Sequence, residues 1–118
     1  MNVHRAVLKP QPWSPADATD IIRSIAKGDY ILSQTEHILE NLELRSLYMG
    51  DVLYVLKNGF VLTPAQSSTR KNWFKYRIDS KSPNSGNRFV RVVFLPCAKP
   101  NELKLITVMW RDEDTFKG

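Results

Sequence analysis

The spacing of apolar residues switches from helical to alternating at Phe60, and this switch constrains the fold more than any other feature of the chain. Upstream, Ile21, Ile22 and Ile25 recur at helical intervals behind Ser14-Pro15-Ala16-Asp17. That quartet is a helix start: the serine caps, the proline suits the first turn, and Asp17 and Asp20 favour the positive end of the dipole. The helix is expected to reach about Lys27, with Gly28 as its stop. Tyr30-Ile31-Leu32 reads as a short strand or an extended link. A second helix, capped by Ser33 or Thr35, carries an apolar stripe of Ile38, Leu39, Leu42 and Leu44 opposite Glu36, Glu40 and Glu43. A third runs from Tyr48 to Asn58, packs through Val52, Leu53, Val55 and Leu56, and ends at Gly59.

Downstream the pattern is that of strands: Phe60–Leu62, Trp73–Asp79, Arg88–Leu95 and Leu103–Trp110. On the second of these, Phe74, Tyr76 and Ile78 share one face, and Trp73, Lys75, Arg77 and Asp79 the other. The connections 80–87 and 96–102 hold the Pro, Asn, Ser and Gly of hairpin loops. Adjacent strands with short links form an antiparallel meander. The expected fold class is therefore α+β, with N-terminal helices packed on a four-stranded antiparallel sheet.

The chain has 118 residues, enough for one domain, expected over 14–118 behind an N-terminal arm of residues 1–13 that carries Pro10 and Pro12. One cysteine, Cys97, rules out an internal disulfide framework. His4 and His37 are the only histidines, so no zinc-type Cys/His cluster exists, and no cofactor is expected. No Gly-rich phosphate loop occurs either, which argues against nucleoside triphosphate chemistry. Residues 1–13 lack a signal-peptide core, and no stretch approaches the roughly 18 apolar residues of a membrane span. A cytoplasmic location follows as the expectation.

The net charge is +5, and residues 59–111 hold ten Lys or Arg against only Asp79 and Glu102. A contiguous basic block attracts phosphate backbones, although it also serves general solubility. If the 80–87 loop closes a regular hairpin, Arg77 pairs near Arg91, and with Lys75 they form one cationic patch. Facing like charges suit a bound anion; alternatively the long side chains splay into water. Trp73, Tyr76 and Trp110 are either stacking platforms for RNA bases or core residues. Arg70 and Lys71 in the polar loop 67–72, together with Arg88, complete the candidate RNA-binding set. His37 is the acid/base candidate, since an imidazole titrates near pH ~6.5. Asn41 and Arg45 follow it at i+4 and i+8, on one side of the helix.

The order Ser33, His37, Arg45, Asp51-Val52, Gly59 and, on the last strand, Thr107 resembles a widespread family of small prokaryotic domains related to BrnT and RelE toxins. The likeness spans about residues 22–110. It departs in having Asn41 where an arginine is usual and Trp110 where a smaller or phenolic aromatic is usual. The resemblance implies a barnase/RelE-like ribonuclease fold and metal-independent RNA cleavage through the RNA's own 2′-hydroxyl. It implies His37 as acid or base, Arg45, Arg77 and Arg91 as phosphate stabilisers, and Thr107 as the group orienting a phosphate oxygen or a water. The implied partners are RNA, including ribosome-associated messages, and an acidic antitoxin protein, with no membrane. The alternatives are a non-catalytic RNA- or protein-binding module using the same basic sheet, and a regulator acting by surface contact.

Overall fold

Residues 10–97 and 101–116 are described by a computed structural model. They form α1 (Pro15–Ala26), β1 (Ile31–Gln34), α2 (Ile38–Leu44), α3 (Met49–Asn58), β2 (Phe60–Val61), β3 (Gln66–Ser67), β4 (Phe74–Ser80), β5 (Val90–Pro96), β6 (Glu102–Trp110) and a 3-10 turn at Arg111–Glu113. The mixed α and β class holds. The strand count does not: the sheet has six strands, ordered β1-β6-β5-β4-β2, with β3 also pairing β4. The meander β4-β5-β6 is antiparallel, as alternation predicts, but β1 joins β6 in parallel. Four residues with no alternating burial carry no signal of a partner some seventy residues away.

The start of α1 forms as its sequence dictates: Ser14 Oγ accepts the Asp17 amide at 3.1 Å, and Ile22 and Ile25 are buried. The cap expected for α2 is absent. Thr35 is used by the sheet instead, its amide donating to Leu105 and its hydroxyl to Ile106. That leaves His37 at the N-cap without a side-chain capping bond. Only Ile38 and Leu42 of the expected stripe are buried; Leu39 and Leu44 face solvent, as does Leu53 of α3.

α1 and α3 pack on each other and on the sheet, while α2 packs on β6. Beneath the helices lie Tyr76, Ile78, Val92, Phe94, Leu105 and Val108. Ile106 is an extra residue opposite β5, between the pairs Val93↔Thr107 and Phe94↔Leu105. This bulge puts Leu105 and Val108, three residues apart, into the same core. Of the expected N-terminal arm, residues 1–9 lie outside the described residues, and the last few fold inward. Trp13 is buried and stacks on Tyr76, and Tyr76 on Phe94. The Tyr76 hydroxyl receives the Trp13 amide at 2.9 Å and donates to Gln11 at 3.1 Å. Tyr76 is thus a core residue and not a base-stacking platform. Burial pushes its phenol up to about 12, with the Trp13 bond acting the other way.

Two residues of the Asp51…Gly59 segment have structural work. At Gly59 the backbone is extended, so the glycine is not a left-handed cap. What it supplies is space: a Cβ there would come within 2.6 Å of the Val55 carbonyl and 2.8 Å of Ile78. Asp51 is almost fully buried and ties α3 to the β4–β5 loop. It accepts the Tyr48 amide at 2.8 Å, the Asn84 amide at 3.0 Å and the Asn84 side chain at 3.2 Å. Burial pushes its carboxyl up, but the Tyr48 and Asn84 amides, with Ser82 and Asn84 side chains, outweigh that and hold it below the usual value.

A depressed folded pKa stabilises the fold above the unfolded carboxylate pKa of about 3.9, and that contribution is lost as pH falls through the folded value. Asp51→Asn should therefore be less stable by about 1–3 kcal/mol at neutral pH. Denaturant melts should show the gap narrowing below about pH 4. A gap independent of pH would mean that the charge on Asp51 contributes nothing.

Candidate functional site

The face of the sheet opposite the helices carries the charged residues of β4, β5 and β6. Cross-strand pairing there sets two rows: Arg77–Val93–Thr107 and Asp79–Arg91–Met109. The hairpin closes two residues later than expected, with β5 starting opposite Ser80. A shift of two keeps every side chain on its face. It replaces the expected Arg77–Arg91 facing pair by Arg91 opposite Asp79, which removes a like-charge repulsion. Arg77 and Arg91 remain diagonal neighbours.

This face is not open. All seven residues of β5 are buried, so the central strand is covered on both sides. The segment after β6 folds back over the arginines. Asp114 accepts from Arg77 Nε at 2.7 Å and from Arg91 Nη1 at 3.1 Å. Arg91 also grips Asp79 through two bonds of 2.8 Å, and Arg77 donates to Gln66 of β3 at 3.0 Å. The Arg77 guanidinium lies 3.9 Å from the Phe116 ring centre. The bonds to Asp79 raise the Arg91 pKa against its burial. For Asp114, burial acts upward, but the Phe116 amide and both arginines hold its carboxyl below the usual range. Two guanidiniums and two carboxylates thus balance inside the protein. Lys75 stands on the same face, half-buried, opposite Gln66.

α2 borders this face along the β6 edge. Asn41 Nδ2 donates to Thr107 Oγ1 at 3.0 Å, and Arg45 Nη1 to the Asn41 carbonyl at 2.8 Å. Arg45 forks onto Glu113 at 2.9 and 3.0 Å. That bond is the largest cause of a lowered Glu113 pKa. The His37, Asn41, Arg45 spacing therefore does bring Arg45, Thr107 and the polar face together. His37 itself is 69% exposed, and its polar neighbours are Glu40 at 3.5 Å and Glu36 at 3.7 Å.

Apart from Lys75, the candidate RNA-binding residues fall into two surface clusters. In one, Arg70 lies 4.4 Å over the half-buried Trp73, beside exposed Lys71. In the other, Arg88 lies 4.2 Å over Trp110 and pairs with Asp112 at 3.0 Å. Next to it Arg111 and Lys81 flank Phe89, at 3.9 and 5.6 Å. One side of each indole is thus already covered by a cation.

The residues that sequence reasoning missed are Asp112, Glu113 and Asp114. Their signal was three consecutive acids directly behind the basic block. No helix among the described residues is long and apolar enough to cross a membrane. A family model described as "Domain of unknown function (DUF4258)" matches residues 34–110, more than half of the chain. No curated protein and no solved structure matches it.

Proposed function

This chain belongs to the DUF4258 family of domains of unknown function, and from that premise we propose that it is a toxin-type, metal-independent endoribonuclease of BrnT/RelE-like kind acting in the cytoplasm. The observation that carries the reading is the His37–Asn41–Arg45 stripe, bonded to Thr107 at the border of the arginine-bearing face. Phosphodiester transesterification requires a proton carrier and cations; here the exposed imidazole of His37, flanked by Glu36 and Glu40, is the proton carrier, and the arginines are the cations.

In the proposed step the RNA 2′-hydroxyl oxygen attacks the adjacent phosphorus. The bond from phosphorus to the 5′-oxygen breaks, leaving a cyclic phosphate and a 5′-hydroxyl. His37 either takes the 2′-hydroxyl proton or returns one to the 5′-oxygen, and solvent does the other. Arg45, Arg77 and Arg91 neutralise the extra charge on the phosphoryl oxygens, and Thr107 orients one of them or a water. Arg70, Lys71, Trp73, Lys75, Arg88 and Trp110 hold the flanking chain. An acidic antitoxin is the partner expected for such a protein, and RNA on the ribosome a substrate class.

A second reading, a non-catalytic RNA- or protein-binding module, is favoured by one specific observation. Arg77 and Arg91 already have carboxylate partners in Asp79 and Asp114. Purified protein incubated with RNA in EDTA separates the two. The nuclease yields fragments ending in cyclic phosphate. Intact RNA at high protein concentration removes the nuclease. Retention at low salt and release at high salt, without cleavage, supports the module.

A further inference from the structure

Four of the arginines assigned above to RNA, Arg45, Arg77 and Arg91 at the phosphate and Arg88 along the flanking chain, are held by three successive carboxylates of one short segment. Asp112 takes Arg88, Glu113 takes Arg45 through a two-bond fork, and Asp114 takes both Arg77 and Arg91. The four come from the C-terminal cap of α2, β4, the loop before β5 and β5, so nothing local brings them to one strap. We propose that Arg111–Phe116 is an intramolecular polyanion mimic: it occupies the phosphate positions of the site and must be displaced for RNA to bind. This rests on the RNA reading given above and adds its regulation.

Charge supports the assignment. With the strap in place the four guanidiniums meet four carboxylates, counting Asp79. Without it they meet Asp79 alone. Arginine grips carboxylate and phosphate with the same planar fork, so a row of carboxylates can hold a site built for a row of phosphates. The strap is graded for release. Asp112 is 72% and Glu113 40% exposed, so water and salt screen those pairs. Asp114 is 8% exposed and is the anchor, with Phe116 behind it under Arg77. The family match also separates the two sides: all four arginines lie within 34–110, and the three acids lie beyond it.

The test uses a labelled single-stranded RNA of about 20 nucleotides and the triple variant Asp112→Asn, Glu113→Gln, Asp114→Asn. A control triple, Asp20→Asn, Asp29→Asn, Glu36→Gln, makes the same charge change at exposed positions outside the strap. The strap variant is expected to bind at least about tenfold more tightly than the control. Its log–log salt slope should be steeper by about 2, because each freed arginine adds a phosphate contact of roughly 0.7. Hydrogen exchange on the unaltered protein covers the case of a misfolded variant. Saturating RNA should speed exchange of the strap amides, above all that of Arg111, which is bonded to the Phe89 carbonyl outside the strap. Equal affinities for the two triples, or RNA bound with the strap amides still protected, overturns the mimic and leaves the RNA reading standing. No RNA binding by any of the three proteins at low salt overturns both.

Discussion

Replacing Arg91 by alanine is expected to cost about 3–5 kcal/mol of folding stability, the range for removing one partner of a buried ion pair. Its side chain is 7% exposed and that of Asp79 only 1%, so the orphaned carboxylate has little water to turn to. Asp114 keeps Arg77, which limits the damage on that side. Most of the penalty is the desolvated charge on Asp79, not the lost attraction, and this makes a second expectation available. Arg91→Met combined with Asp79→Leu removes both charges from a site buried on a central strand and should recover most of the loss. Urea unfolding of the two singles and the double gives the cycle. A single-variant loss under about 1 kcal/mol would mean that water reaches the pair.

Replacing His37 by alanine is expected to lower RNA cleavage by about 10²–10⁴, the usual contribution of a positioned proton carrier. The same change should leave stability within about 0.5 kcal/mol, since the side chain is exposed at a helix start and caps nothing. RNA affinity and its salt slope should also stay where they were, because the arginines are untouched. His37→Ala is therefore a separation of chemistry from binding that Arg45→Ala cannot provide, because Arg45 also holds Glu113. Expression of the unaltered protein should arrest growth and His37→Ala should relieve the arrest. Cleavage at the unaltered rate by His37→Ala would leave the nuclease without its proton carrier, and the binding module would be the better description.

The resemblance read in the sequence mixes two kinds of residue, and the structure separates them. Asp51, Val52 and Gly59 are explained by packing: a carboxylate taking two backbone amides, a core side chain, and a contact with no room for a Cβ. They specify the fold. His37, exposed beside Glu36 and Glu40, has no such structural work, and that leaves it as the residue whose presence a function would explain.

What the sequence determined by itself is local in origin. The Ser14-Pro15 start of α1, the extent of α3 to Asn58, the three long strands and the alternation that puts Tyr76 and Ile78 opposite Arg77 and Asp79 all follow from capping and period. So does the i, i+4, i+8 alignment of His37, Asn41 and Arg45. What only the tertiary structure decided depends on which distant groups meet. β1 pairs in parallel with β6, and Thr35 is drawn from capping α2 into that pairing. Arg91 faces Asp79, not Arg77. Above all, the face that alternation marks as polar is closed by Asp112–Asp114, more than twenty residues from Arg91 and more than sixty from Arg45. Periodicity assigns a residue to a face; only the folded chain determines what covers that face, because ion pairs form between charges close in space, whatever their separation in sequence.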